Sequence, residues 1–317
     1  MYLLNTRLEK FSVQYEVENT KFDLKDYENI PITDRVYGNI EDLINNNDEI
    51  KTASNIIINI VNGESGIGSQ ITLFMQNSYH LKEINPNIIC LPHFSNNNQH
   101  FKYHDKNYNN SFFMYYKRKS DVTNLINYKN YFVKAGIANI PFFTSDVDTM
   151  KHEPNNKYIT AFNNDYEYIK NNSVIKSISN IKKPLIGIHL RSLAQKMAHE
   201  SGFLSVSYSD RLLKLKEKLD NELKDYSVFV ITDTNDHLEL AKSIFGDIYY
   251  FDNVMRIDGQ DDIMNVLSHE QSGYKLGLDI LNECFALSLC DKVFLTPSNI
   301  MFIISTMNPY IEKEELS

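Results

Sequence analysis

The stretch Leu185–Arg191 reads LIGIHLR. Its nearly unbroken apolar run, preceded by Pro184, predicts a strand over Leu185–Leu190 buried on both faces, as the strands of a parallel sheet are. The run ends on two functional groups, His189 and Arg191, which strand alternation sends to the same face. Downstream, Ser209–Tyr226 carries Leu212, Leu215, Leu219 and Leu223 at helical spacing among Lys, Glu and Asp, which predicts an amphipathic helix. Val228–Thr232 is a further strand and runs into Asp233. A helix over Asn235–Phe245, a strand over Ile248–Phe251, a largely apolar helix over Gly277–Cys290 and a strand over Val293–Leu295 follow. Pro297–Asn299 then opens the last helix. Strands alternating with helices predict a doubly wound α/β unit with a parallel sheet.

The upstream half repeats the pattern less clearly. Asn55–Val61, NIIINIV, reads as a buried strand, followed by Gly63, Gly66 and Gly68, a helix over Gln70–Ile84 and a strand over Asn87–Leu91. That is a βαβ unit. Ser95–Asn110 is a long polar and aromatic loop. Asn163–Lys183 is rich in Asn and Lys and ends at Pro184, where the boundary between two Rossmann-like domains is placed. Residues 1–50 are expected to be an extension or an added hairpin, 51–180 the first domain and 181–317 the second.

Composition limits the function. The 317 residues exceed the roughly 100–200 of one domain. With a formal net charge of −9, the chain lacks the basic face of a nucleic-acid binder, so no nucleic-acid partner is expected. Cys90, Cys284 and Cys290 have neither disulfide-framework nor zinc spacing. The start, MYLLNTRLEKFSVQYEVE, lacks the apolar core of a secretory signal, and no run approaches the ~20 apolar residues of a membrane span. A cytoplasmic protein is expected, with peripheral association at a membrane left open.

Ligands of such sheets sit beyond the carboxyl ends of the strands, and four of those ends carry polar or flexible residues. Gly63–Gly68, GESGIG, brings backbone amides and a helix N-terminus to one place, a setting that favours an anion, although a plain tight turn explains it equally well. Gly66 and Gly68 are candidate donor contacts there, and Glu64 is a candidate catalytic base. At the second end, Arg191 offers a rigid fork of donors suited to phosphate, and His189 can donate to a phosphate or a sugar hydroxyl. A satisfied buried His beside a surface Arg is the structural alternative. At the third, Asp233 either caps the following helix or accepts hydrogen bonds from a base or ribose. At the fourth, Thr296, Ser298 and Asn299 cap the last helix, bind a pyrophosphate, or do both. Weaker signals are the triplet Asp146–Val147–Asp148, Asp261–Asp262, the loop histidines His93, His100 and His104, and Asp279 and Glu283, whose placement on an apolar helix suggests a wet edge or a cleft.

The order HxR after a strand, Thr-Asp at the end of the next, and a helix–strand–(T/S)xS segment resembles the three C-terminal motifs of the fucosyltransferases that include the nodulation fucosyltransferase and the protein O-fucosyltransferases. His269–Pro309 looks most like their bacterial relatives. The resemblance covers roughly the last 130 residues and is weak before them. It implies a glycosyltransferase B-type fold, two Rossmann-like domains facing a cleft, with acceptor on the first and a GDP-sugar donor on the second. No metal or other cofactor is implied. Arg191 takes the place of the family's diphosphate-binding Arg and His189 that of its His. Thr296, Ser298 and Asn299 match the (T/S)xS segment, and Asp233 the second motif. The implied activity is transfer of fucose or another deoxy-sugar to a glycan acceptor, such as capsule or lipopolysaccharide, by a protein that can lie against the inner membrane. One departure stands out. The run after Arg191 is Ser192–Lys196, with neutral Ala194 where the family has an acidic residue. This leaves the donor sugar open, a GDP-linked deoxy-heptose included. It also keeps open a non-catalytic nucleotide-sugar- or glycan-binding protein, and a metal-dependent transferase using Asp146 and Asp148 is a third reading.

Overall fold

The computed structural model describes residues 12–13, 36–62, 67–94, 112, 115–119, 128–135, 157–191, 207–257, 273–296 and 298–317. In chain order the elements are β1 (Ser12–Val13), β2 (Val36–Tyr37), α1 (Ile40–Asn46), β3 (Ile56–Asn62), α2 (Ile67–Ile84), β4 (Ile89–Phe94), β5 (Tyr116–Arg118), β6 (Lys129–Lys134), α3 (Lys157–Asp165), β7 (Tyr166–Tyr168) and α4 (Asn172–Ser179). The second half continues with β8 (Leu185–Leu190), α5 (Tyr208–Glu222), β9 (Ser227–Thr232), α6 (Asn235–Phe245), β10 (Tyr250–Phe251), α7 (Gly273–Ser288), β11 (Lys292–Leu295), α8 (Ile300–Met307) and β12 (Glu312–Glu315).

Two four-stranded sheets result, ordered β2-β6-β3-β4 and β12-β11-β8-β9, with every pairing parallel. A parallel bridge between Phe229 and Tyr249 carries the second sheet on towards β10, which pairs in turn with β1. Every residue of β8 is buried, as its apolar run predicts. Its two faces alternate. Ile186, Ile188 and Leu190 pack with Leu212, Leu215 and Leu219 of α5. Leu185 belongs to the other core, with Leu281, Cys284 and Leu287 of α7. The chain therefore winds helices over both faces of this sheet.

Several expectations shift in detail. The amphipathic helix runs over Tyr208–Glu222, its first turn capped by Ser207, whose hydroxyl accepts from the Asp210 amide at 3.2 Å. Leu223 falls just past its end in extended backbone. The Asn- and Lys-rich stretch at 163–183 is not a bare linker, since it carries the end of α3, β7 and α4. Residues 36–51 supply β2 to the first sheet and, through Leu43 and Ile50, two fully buried core side chains. The polar composition of the segment hides this, because its buried apolar residues are few: Ile40, Leu43 and Ile50.

One buried cluster runs through both halves. It includes Ile58 and Ile71 from the first sheet and its helix, and Leu281 and Ile303 from the second. Aromatic side chains of the first half reach across: the Tyr168 hydroxyl donates to Asn282 Oδ1 at 2.9 Å, and the Tyr116 hydroxyl lies 3.3 Å from Thr306 Oγ1. Tyr115 is laid against Gly277 of α7. A Cβ at that glycine would overlap the tyrosine hydroxyl and stand 2.6 Å from Cζ, and the ring is only 1 % exposed. Gly277→Ala is expected to cost about 1–3 kcal/mol of stability through overpacking. A urea midpoint equal to that of the parent would refute this packing role.

Candidate active site

In the second sheet the chain passes from β8 to β9 on one side, then returns to lay β11 on the other. The carboxyl ends of β8 and β11 thus flank the point where strand order reverses, where open α/β sheets bind ligands. His189 and Arg191 come from one end, Thr296, Ser298 and Asn299 from the other. His189 pairs in register with Leu295, and the Thr296 amide donates to the His189 carbonyl at 3.3 Å. Their side chains meet as well, Thr296 Oγ1 lying 3.1 Å from His189 Nδ1. Both are buried, at 1 % and 6 % exposure.

Burial, reinforced by the Arg191 guanidinium, pushes the His189 imidazole down to about 3, against a smaller opposing pull from Thr296. His189 is therefore neutral at physiological pH, with one ring N–H to give. Among the described residues, the fixed positive charge at this strand end is that of Arg191. Its backbone carbonyl accepts from the Tyr208 hydroxyl at 2.8 Å. Ser298 caps the last helix, its Oγ accepting from the Ile300 amide at 3.2 Å. Asn299, the residue before α8, makes no side-chain cap bond.

Asp233 lies at the end of β9, but the cap of α6 is its neighbour Thr234, whose Oγ1 accepts from the His237 amide at 3.3 Å. The Asp233 carbonyl accepts from the Ile257 amide at 3.1 Å, which lays the 252–257 segment beside it. Gly68 is not in a turn. It lies in the first turn of α2, where a Cβ would come within 3.1 Å of Asn299 Cβ and 3.4 Å of Ile303 Cδ1. Its lack of a side chain lets α2 and α8 approach closely, and this brings the start of the first half's helix to the β11 end of the second sheet. Gly66 and Glu64 lie outside the described residues, as do Asp146, Asp148, His100, His104, Asp261, Asp262 and the run Ser192–Lys196.

Two expectations are corrected. His93 is not in a loop but in β4, beside Val61, where its ring meets Phe132 edge-on at 6.0 Å and burial lowers its pKa to about 4. Of the two readings of Asp279 and Glu283, the wet edge does not hold. The two residues are 1 % and 7 % exposed. Asp279 pairs with Lys275 at 2.8 Å and Glu283 with Arg256 at 3.4 Å. Arg256 also donates to the Phe251 carbonyl at 2.9 Å, so it pins the 252–257 segment onto α7. Sequence reasoning missed Tyr208, Arg256 and His237. Each is placed by contacts distant in sequence, and only the position of His237 in a helix's first turn gave any local signal.

Among the described residues no group of three His, Cys, Asp or Glu side chains is placed to hold a metal ion, and no helix is long and apolar enough to cross a membrane. All three cysteines are free and buried. No family profile matches the chain, and no curated protein matches it. Solved structures do. NodZ alpha-1,6-fucosyltransferase co-crystallized with GDP is similar at 11 % identity and TM-score 0.43, covering 80 % of this chain and 92 % of that one. The same enzyme soaked with GDP-fucose is similar at 11 % identity and TM-score 0.42 over the same shares. POFUT1 in complex with GDP is similar at 15 % identity and TM-score 0.32, over 50 % of each chain, so this chain spans about half the length of that protein. At these scores the overlap is partial, and function has to be sought in the side chains gathered at the strand ends.

Proposed function

We propose that the chain is a glycosyltransferase that moves a sugar, fucose or another deoxy-sugar, from a GDP-sugar to a glycan acceptor. The observation that carries this reading is the meeting of the HxR strand end and the (T/S)xS helix start at the switch point of a doubly wound sheet. Breaking the bond between the anomeric carbon and the diphosphate oxygen leaves negative charge on the diphosphate. Arg191 offsets that charge, with the Thr296, Ser298 and Asn299 side chains and the positive end of the α8 dipole beside it. His189, neutral and braced by Thr296, donates a hydrogen bond rather than a charge. The reading needs no metal, and activity that survives EDTA would support it against a transferase built on Asp146 and Asp148. Residues 51–180 are proposed to receive the acceptor, 181–317 the donor. Glu64 is the proposed base. A capsule or lipopolysaccharide acceptor, made at the cytoplasmic side of the inner membrane, follows from the motif resemblance alone.

The first test is thermal unfolding with GDP, UDP, ADP and CMP. GDP alone is expected to raise the midpoint, by about 2.7 kcal/mol of added stability at a hundred times its Kd. No shift with GDP would overturn the donor assignment. The neutral Ala194 after Arg191 favours one second reading, a binding protein without turnover. GDP release from GDP-fucose or a related GDP-sugar excludes it.

A further inference from the structure

We propose that Tyr208 is a positioning residue for Arg191, its hydroxyl fixing the backbone that carries the guanidinium. The inference rests on the reading of Arg191 as the clamp on the donor diphosphate. Arg191 is the first residue beyond β8, where the ladder that holds the strand has ended. A long side chain keeps its charge in one place only where its backbone is held, and electrostatic stabilisation needs the donors in place before reaction. Tyr208 supplies the anchor from the other end of the 192–207 segment. It opens α5, and its phenol turns back to donate to the Arg191 carbonyl at 2.8 Å.

The ring is itself held. It is 8 % exposed and packs edge-on against His237 of α6, ring centroids 4.7 Å apart. Burial pushes its pKa up to about 12, so it stays protonated and remains a donor at any physiological pH. The hydroxyl thus holds the strand end that supplies Arg191.

Tyr208→Phe keeps the ring and its His237 contact and removes only the hydroxyl. GDP affinity is to be measured by calorimetry for the parent, Tyr208→Phe, Arg191→Ala and the double variant. Loss of one hydrogen bond is expected to weaken GDP binding by about two- to tenfold in Tyr208→Phe. In the Arg191→Ala background the same change is expected to weaken it no further, because the hydroxyl acts through the guanidinium. Parent-like affinity in Tyr208→Phe would overturn the proposal. So would an undiminished loss in the Arg191→Ala background, since that marks a general structural role. If instead Arg191→Ala binds GDP as the parent does, or the parent binds none, it is the clamp reading itself that fails.

Discussion

Arg191→Ala is expected to slow GDP-sugar cleavage by about a hundred- to a thousandfold, the usual cost of removing one preorganised stabiliser of developing negative charge, about 2.7–4 kcal/mol. Among the described residues no other fixed positive charge lies at this strand end. His189 beside it is held neutral by burial and by Arg191 itself. Removing the guanidinium relieves that repulsion, but burial remains the larger cause, so the imidazole is not expected to become a substitute cation. The fold should persist, because Arg191 lies beyond the strand and outside both buried clusters. GDP release by the purified variant, beside its circular dichroism and melting curve, measures both halves. A folded variant that releases GDP at the parent rate would remove Arg191 from the mechanism.

The second large effect is on stability and concerns Glu283. Burial raises its pKa from 4.5 to about 8, outweighing the attraction of Arg256, while Asp279 and Asp233 add repulsion. Lys275 faces Asp279 in the same cluster. The sign follows from proton counts. Between 4.5 and 8 the folded protein holds a proton on Glu283 that the unfolded chain has released. Stability from this group is therefore fully present below 4.5 and is lost as pH rises through about 8. At about 1.4 kcal/mol per unit, the total is on the order of a few kcal/mol. Glu283→Gln, neutral at all pH, is expected to flatten the decline between pH 6.5 and 9. His93, His189 and His237, with lowered pKa values, act in the opposite sense and mainly below their unfolded value of 6.5, while Lys313, lowered by burial to about 8, titrates inside the window, so it is the difference between parent and variant that isolates Glu283. Urea midpoints across that range give the comparison. Parallel pH profiles for parent and variant would show that Glu283 is ionised in the folded protein.

Much of the second half could be read directly. The strands over Leu185–Leu190 and Ser227–Thr232, and the helix Asn235–Phe245, appear where apolar runs and periodicity predict them. These signals are local, set by neighbours a few residues away. The first half was read less well. The helix Ile67–Ile84 buries polar side chains such as Gln70, Thr72, Gln76 and Asn77 on several faces, so no clean amphipathic stripe marks its start. The wet edge read for Asp279 and Glu283 fails because charge on an apolar helix reads as exposure. Their partners Lys275 and Arg256 show otherwise, and Arg256 lies 27 residues from Glu283.

Arg191 shows where the two sources of information divide. By itself the sequence determined that a buried strand ends in His189 and Arg191, and that another ends in Thr296 before a helix. Side-chain alternation and hydrophobicity suffice for that, because they act along the chain. Only the tertiary structure decided that these two ends are neighbours, since strand order depends on which helices cover which face. It also decided that His189 is neutral, that Gly68 serves the approach of α2 to Asn299, and that Tyr208 returns to hold the Arg191 carbonyl. Each of these depends on burial or on a partner many residues away, and no local pattern encodes either.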